Sequence, residues 1–217
     1  MKKLLLLITA IVVALMFASC VPDRALRSEK ALLAEEVRQE FLHSWNAYKK
    51  YAWGHDGLKP LSKTYYDWYS APLYMSLVDA LDTMILMGLK EEADSVREFV
   101  VTHLSFDHDI YVKNFEITIR LLGGLLSSYQ LTGDERLLKL ADDLGTRLLP
   151  VFNSPTGMPY VDVNLKTGAV RNSRTNPGEI GTLLVEFGTL SKLTGKPAYY
   201  NVAKNAVVQV YNRRSSI

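Results

Sequence analysis

The stretch NFEITIRLLGGLLSSYQLTG, from Asn114 to Gly133, determines how the rest of the sequence is interpreted. Its central part is apolar on nearly every side, which is typical of a helix that is buried all round. Gly133 is typical of a helix C-cap, because a left-handed backbone costs least where there is no Cβ. Glu116 and Arg120 interrupt the apolar pattern and lie four residues apart, hence on one helix face. They form either a surface ion pair or half of an active site.

An apolar helix, a glycine stop and an amphipathic helix follow one another three times along the chain. The copies begin with LYMSLVDALDT at 73–83, EITIRLLGG at 116–124 and EIGTLLVEFG at 179–188. The two later copies also share a turn, LTGD at 131–134 and LTGK at 193–196. Helical hairpins that recur in this way stack side by side, because one hairpin cannot bury its own apolar face. We therefore predict an all-α fold, an (α/α) toroid of helical hairpins.

The remaining segments complete this prediction. EKALLAEEVRQEFLHSWNAYKKYAW, residues 29–53, predicts a further helix, and the Gly- and Pro-punctuated residues 54–72 predict a loop. Strand signals are nearly absent, and GMPYVDVNLKTGAVRN, residues 157–172, predicts either a short hairpin or an ordered loop. Three and a half hairpins leave a ring open, so we expect the toroid to be incomplete in this chain.

Composition restricts the class of protein. The chain has 217 residues, of which 48% are hydrophobic and 22% charged, as in globular proteins. A formal net charge of +2 and the absence of a basic run of five or more residues give no reason to expect nucleic acid. Tyrosine outnumbers phenylalanine, 12 to 7. Such polar-tipped aromatics suit grooves that bind sugars, although they also pack ordinary cores.

The first 20 residues predict export. MKK is a positive n-region, LLLLITAIVVALMFA is an apolar segment too short for a comfortable membrane span, and the stretch ends in FASC. Small residues directly before Cys20 resemble the lipobox of bacterial lipoproteins, although Phe17 departs from the usual Leu or Val. The alternative is a plain secretory signal with an incidental cysteine. We favour a signal peptide at 1–20 and a protein, residues 21–217, anchored in the bacterial cell envelope through lipidated Cys20, in the periplasm or at the cell surface.

Candidate site residues lie where the apolar helices open. In a ring of hairpins, loops and helix N-termini converge at one mouth, and Glu116 and Glu179 each open the apolar helix of their repeat. Carboxylates favour helix N-termini in any protein, through the macrodipole and the free backbone donors. Arg120, however, lies in a helix predicted to be buried, and a buried charge needs a partner. We therefore select Glu116, Arg120 and Glu179 as candidates.

Three further carboxylates give weaker indications. Asp79 and Asp82, in VDALDT, lie on an apolar helix and either face the cavity or, as we favour, cap loops at the mouth of the ring. Glu186 lies two turns into its helix, and we interpret it as a buried ion-pair partner.

Four blocks occur in the order and at the spacing of motifs of glycoside hydrolase family 47, the class I α-1,2-mannosidases. The sequence resembles this family from about Trp45 to Ile217. The blocks are YAWGHDGLKPLS, LVDALDTMILMGL, NFEITIRLLGGLLSSYQLTGD and NPGEIGTLLVEFGTLSKLTG. Each block alone is weak, but several at the correct spacing are specific. The final RRSSI resembles the start of another block, so we expect the sequence to stop inside a motif.

The resemblance implies an (α/α) toroid enzyme that removes terminal α-1,2-linked mannose with inversion and uses a Ca²⁺ that binds the sugar's hydroxyls. Glu116 falls on the acidic residue of the F-E-x-x-I-R block, which implies proton donation to the leaving oxygen, directly or through a water. Arg120 matches the arginine that helps hold substrate and carboxylates. Glu179 falls on the acidic residue of an A-E-x-G-like block, a sugar or water contact. Asp56 is a weaker substrate-binding candidate, because Gly57 replaces the glutamate of the family's D-E-L.

An inverting mechanism needs a second carboxylate, roughly 6.5–9.5 Å from the first. The resemblance implies that this base and a calcium-binding threonine lie beyond Ile217. We therefore assign no metal ligand in this chain and expect no turnover from it alone. The leading prediction is a Ca²⁺-dependent α-1,2-mannosidase acting on mannose-containing oligosaccharides. The alternatives are a mannose-binding toroid protein without turnover and, against the order of the blocks, a lyase or epimerase on other sugars.

Overall fold

The structure, a computed structural model, describes residues 24–213, with side chains from residue 28. The predicted signal peptide and Cys20 lie outside this range. The described residues divide into two compact units, one that ends at Asn46 and one that begins at Ala47. None of the described helices is both long enough and apolar enough to span a membrane.

Helices make up most of the described chain. The helices are α1 Arg24–Tyr51, α2 Met75–Leu86, α3 Lys90–His103, α4 Asn114–Ile117, a π-helical turn Thr118–Leu122, α5 Gly123–Thr132, α6 Glu135–Leu148, a 3₁₀ turn Leu149–Phe152, α7 Pro177–Gly181, α8 Leu183–Thr194 and α9 Pro197–Asn212. The strands are β1 Gly57–Lys59, β2 Thr64–Tyr66, β3 Tyr111–Lys113, β4 Asp162–Asn164 and β5 Val170–Arg171.

The three predicted hairpins are present in the second unit. Helix α2 packs on α3, α5 on α6, and α8 on α9. The first helix of each hairpin is followed by a left-handed glycine, with φ of 70° at Gly88 and 71° at Gly133 and Gly195. These first helices supply fully buried side chains, among them Leu81, Leu125 and Leu183. The predicted all-α hairpin arrangement is therefore confirmed.

Two small sheets connect the hairpins. In the segment 157–172, β4 pairs antiparallel with β5, which confirms the hairpin alternative, and β3 joins β4 as the third strand. The segment 54–72, predicted as a loop, contains the antiparallel pair β1 and β2. Strand β3 matters for the site because it ends at Lys113, and α4 begins at the next residue.

Two adjacent glycines begin α5: Gly124 faces α2, and Gly123 faces Glu186 of α8. A Cβ on Gly124 would lie 2.8 Å from Cγ1 of Val78 and 2.9 Å from the Val78 carbonyl oxygen, too close for any real side chain. A Cβ on Gly123 would meet its nearest neighbours, Glu186 Cγ and the Thr118 carbonyl oxygen, at 3.7 Å, an ordinary contact. The separation of two packed helices depends on the side chains between them. Gly124 therefore lets the two helices approach more closely than any other residue would allow.

We expect Gly124→Ala to lower the free energy of unfolding by about 1–3 kcal/mol, the usual cost of overpacking. The reason is that a backbone carbonyl, unlike the end of a flexible side chain, cannot move away locally. Gly123→Ala is the matched control, since alanine in a helix is favoured over glycine by up to about 1 kcal/mol. Urea denaturation followed by circular dichroism measures both. Equal effects of the two substitutions would contradict the close helix contact.

Candidate active site

Arg120 lies at the centre of a group of side chains from two helices and a loop. Its Nε donates to Glu116 Oε2 at 3.1 Å, and its Nη1 donates to Asp79 Oδ2 at 3.1 Å. Its Cζ lies 5.1 Å from the centre of the Trp68 ring, within the range of a cation–π contact. The charge predicted to need a partner therefore has two carboxylates and one aromatic face.

The helix that carries Arg120 changes its winding at this point. Thr118–Leu122 is a π-helical turn between the α-helical segments α4 and α5. Such turns within α-helices occur frequently at functional sites. The side chain of Arg120 is 38% exposed, that of Asp79 34% and that of Glu116 24%. The group is therefore accessible to a ligand and is not part of the closed core.

Burial and ion pairing shift the pKa values of Asp79 and Arg120 in opposite directions. Burial raises the pKa of Asp79, against the opposing effect of Arg120, and the nearby Asp82 and Glu116 add to the rise. Burial also disfavours the charge on Arg120, but its hydrogen bonds and charge interactions with Glu116 and Asp79 outweigh this and raise its pKa. Arg120 therefore stays charged, whereas Asp79 keeps its negative charge less readily than an isolated aspartate does.

A second ion pair connects the openings of the second and third hairpins. Nζ of Lys113 donates to Oε1 of Glu179 at 2.9 Å. Glu179 lies in the first turn of α7, where its N–H donates to the side chain of the N-cap residue Asn176 at 3.0 Å. The hydrogen bond to Glu179 raises the pKa of Lys113, and Glu116 and Asp162 act in the same direction. The two predicted carboxylates, Glu116 and Glu179, thus share the field of one ammonium group.

Asp56 has a different environment from these groups. Its exposure is 1%. Oδ1 accepts the N–H of Leu73 at 2.7 Å and of Met75 at 3.2 Å, and Oδ2 accepts the N–H of Trp68 at 2.9 Å. Three charge-assisted hydrogen bonds satisfy this carboxylate without a ligand. They give Asp56 a structural role in place of the predicted substrate contact.

The neighbouring Gly57 is the first residue of the small hairpin formed by β1 and β2. Gly57 pairs with Tyr66 across β1 and β2. A Cβ on Gly57 would lie 2.5 Å from Cε1 and Cζ of the Tyr66 ring. A glutamate at this position would require the Tyr66 ring to move. The packing of this ring therefore favours the glycine that replaces the glutamate of D-E-L.

The weaker carboxylate predictions change in the structure. Asp79 pairs with Arg120 and does not cap a loop. Oδ1 of Asp82 accepts a long hydrogen bond from Thr83 at 3.4 Å. Burial raises the pKa of Glu186, whose Oε2 is buried without a hydrogen-bond partner among residues 24–213. The ion pair predicted for Glu186 is therefore not found in the described part of the chain.

Two members of the site were not selected from the sequence. Lys113 precedes the helix by one residue, and only the pairing of β3 with β4 places it opposite Asp162. Trp68 lies in DWYS, among many aromatic residues, and no local pattern distinguishes it.

Comparison with known proteins adds to this geometry. Residues 40–217 match the sequence profile described as Glycosyl hydrolase family 47. The chain is 42% identical over 180 residues to the endoplasmic reticulum mannosyl-oligosaccharide 1,2-alpha-mannosidase of Rattus norvegicus, covering 81% of this chain and 27% of that protein. It is 39% identical over 180 residues to the mannosyl-oligosaccharide 1,2-alpha-mannosidase of Candida albicans, covering 81% of this chain and 32% of that protein.

A solved structure has the same fold. The alpha-1,2-mannosidase from Trichoderma reesei superposes with a TM-score of 0.77 at 32% identity, covering 85% of this chain and 41% of that one. This likeness confirms the (α/α) architecture of helical hairpins predicted from the repeats. The chain spans between about a quarter and a third of the length of the curated relatives named above, 27% and 32%.

We expect Asp56→Ala to destabilise the protein strongly, because three backbone N–H groups lose their acceptor. Two of these donors, the N–H groups of Leu73 and Met75, are buried. Each buried donor left unsatisfied costs about 1–3 kcal/mol, so the total loss should reach at least about 2 kcal/mol. The control is Asp107→Ala, since Asp107 is 62% exposed and its ion pairs are long, at 3.7 and 3.9 Å. Such a surface change stays within about 0.5 kcal/mol. Thermal denaturation measures the stability of both variants. An Asp56→Ala protein as stable as the unmodified one would contradict the structural role of Asp56.

Proposed function

The chain belongs to glycosyl hydrolase family 47, and from this premise we propose that it is part of a Ca²⁺-dependent, inverting exo-α-1,2-mannosidase. The proposed substrates are mannose-containing oligosaccharides with a terminal α-1,2-linked residue. Two sources support the proposal. The relatives are mannosyl-oligosaccharide 1,2-alpha-mannosidases by name, and the chain carries a carboxylate–arginine pair at the opening of an apolar helix.

In the proposed reaction, Glu116 works on the acid side. It donates a proton to the glycosidic oxygen that leaves, directly or through one water, and this role requires a carboxyl group that is accessible but partly shielded. Its side chain is 24% exposed, and Oε2 is fixed by Arg120. The other oxygen, Oε1, accepts no hydrogen bond from the described residues and remains available to the substrate.

Arg120 and Glu179 are proposed to hold the substrate. Within residues 24–213, Nη2 of Arg120 has no hydrogen-bond partner, and the side chain is 38% exposed. Its N–H groups can therefore donate to sugar hydroxyl oxygens. Glu179, held by Lys113 through Oε1, can accept from a sugar hydroxyl or from a water.

The observation that carries this proposal is the position of the Glu116–Arg120 pair. A structural ion pair on a buried helix would be closed off by its neighbours, and a solvated surface pair would lie on an amphipathic helix. This pair instead lies on a helix whose Ile117, Leu121 and Leu122 are buried, and keeps both of its charged groups partly exposed. We take this combination as support for a role of the pair toward a ligand.

Inversion requires a second carboxylate that activates water on the other side of the sugar, roughly 6.5–9.5 Å from the acid. We assign no base among the described residues. Ca²⁺ is proposed from the family, and it prefers six to eight oxygen ligands. Residues 24–213 contain no group of three or more His, Cys, Asp or Glu side chains that could hold a metal ion. They do not fit as its ligand cage, so no step is derived through the ion.

We also propose that the protein is exported and anchored in the bacterial cell envelope through lipidated Cys20. The sequence MKK, an apolar segment and FASC support this. Mass spectrometry of the mature protein tests it, because cleavage before Cys20 with a lipid on that residue distinguishes a lipoprotein from a plain secretory protein.

We expect the full-length protein to release mannose from α-1,2-mannobiose, and Glu116→Gln to slow release about 10²–10⁴-fold, the usual contribution of a general acid. Glu91→Gln is the matched control, because Glu91 also lies in the first turn of a helix, α3, but on an exposed surface. It should leave the rate unchanged. Binding of mannobiose by the unmodified protein without release would favour the glycan-binding alternative.

EDTA is expected to stop mannose release, and Ca²⁺ added afterwards is expected to restore it. The proposed cofactor would be removed, while the fold of the described residues, which hold no metal cluster, should persist. Circular dichroism run in parallel separates the two effects. Release that continues in EDTA would remove the metal from the proposal and leave the hydrolase itself standing.

A further inference from the structure

We propose that Asp79 and Trp68 are positioning residues, which together fix the orientation of the Arg120 guanidinium relative to the catalytic carboxylate Glu116. The inference rests on the proposed function, because it assigns two further residues to the same site. It starts from the three contacts of one planar group: Glu116 at Nε, Asp79 at Nη1 and the indole ring of Trp68 against Cζ.

The geometry of a guanidinium makes these contacts interdependent. Its N–H donors lie in one plane and point in fixed directions. A hydrogen bond at Nε alone leaves the group free to turn about that bond. The second bond, from Nη1 to Asp79 at 3.1 Å, fixes the rotation, and the aromatic ring bounds one face. With Nε and Nη1 engaged, the Nη2 edge has one defined direction.

Both positioning side chains are tied to the same buried carboxylate. Oδ2 of Asp56 accepts the backbone N–H of Trp68 at 2.9 Å, and Oδ1 accepts that of Met75 at 3.2 Å. Met75 is the first residue of α2, and Asp79 follows it by about one helical turn. The Asp56 backbone carbonyl also accepts from the hydroxyl of Ser76 at 2.7 Å. A single anchor therefore sets the position of the loop and of the helix that reach Arg120.

The Asp79–Arg120 pair contributes little to the stability of the fold. Its side chains are 34% and 38% exposed, and ion pairs of such exposure have small effects on stability. The Trp68 side chain is 38% exposed, so most of its ring is covered and Trp68→Ala is expected to lower stability. A loss of activity in Asp79→Asn would therefore report on the site and not on unfolding, and the Trp68 variants are compared at a temperature at which circular dichroism shows them folded.

The experiment uses the full-length protein and four variants. Asp79→Asn keeps the size and removes the charge, Trp68→Ala removes the ring, and Trp68→Phe keeps an aromatic face. The matched control is Asp94→Asn, because Asp94 also pairs with an arginine, Arg97, at 3.1 Å and is 39% exposed, but lies on α3. A misplacement of about 1 Å at a reacting group can cost 10²-fold in rate.

The expected result is a fall in kcat of about 10–100-fold for Asp79→Asn and Trp68→Ala. KM should change much less, the melting temperature of Asp79→Asn should stay the same, and Trp68→Phe should recover most of the rate that Trp68→Ala loses. Asp94→Asn should behave like the unmodified protein. Equal losses in Trp68→Phe and Trp68→Ala, or a kcat of Asp79→Asn equal to that of Asp94→Asn, would overturn the proposal.

A second readout does not depend on activity. The Nε–H of Arg120, held by Glu116, should give a slowly exchanging signal in ¹H–¹⁵N NMR, assigned by its absence in Arg120→Lys. The signal should broaden or vanish in Asp79→Asn and Trp68→Ala and persist in Asp94→Asn. An unchanged signal in both test variants overturns the positioning role even if no mannose is released. Failure of this inference and failure of the proposed function are therefore distinguishable.

Discussion

The site depends first on the close contact between α2 and the helix that carries Arg120. Gly124 lies against the backbone of Val78, where a Cβ would come within 2.9 Å of the Val78 carbonyl oxygen. Asp79 follows Val78 directly, and its carboxylate reaches Arg120 at 3.1 Å. Hydrogen bonds weaken steeply beyond about 3.2–3.5 Å, so a shift of less than 1 Å between these helices would break this one. The absence of one methyl group thus sets the geometry of the charged group.

A second constraint is the burial of Asp56. A carboxylate at 1% exposure is costly unless its oxygens are satisfied, and here three backbone N–H groups from residues 68, 73 and 75 satisfy them. The cost of burying the charge is offset only if the loop and the start of α2 keep their places. The residue that resembles a binding carboxylate in the sequence therefore acts as an anchor for others. Its neighbour Gly57 fits this interpretation, because the Tyr66 ring occupies the space that a side chain would need.

The features that could be predicted are those that depend on local pattern. The hairpins follow from apolar periodicity, and the turns at Gly133 and Gly195 follow from the cost of a left-handed backbone. The positions of Glu116 and Glu179 at helix openings follow from the same repeats. The features that were missed depend on contacts distant in sequence. Lys113 meets Glu179, 66 residues away, and no local pattern records that distance.

The two cations of the site have different roles, and the difference fits an uncharged ligand. Arg120 uses a planar group, with donors in fixed directions, to connect two carboxylates beside an aromatic ring, whereas the compact ammonium of a lysine has no such fixed plane. Lys113 needs no such plane, since it serves as a point charge between Glu179, at 2.9 Å, and the field of Glu116. Among the side chains joined by these ion pairs, three carboxylates (Asp79, Glu116 and Glu179) face two cations, and Asp82 and Asp162 add negative charge nearby. The site therefore has no excess of positive charge and offers donors and acceptors side by side. Such a site fits the neutral oligosaccharide of the proposed function better than a phosphate or a polyanion, because a strongly anionic ligand would require an excess of positive charge.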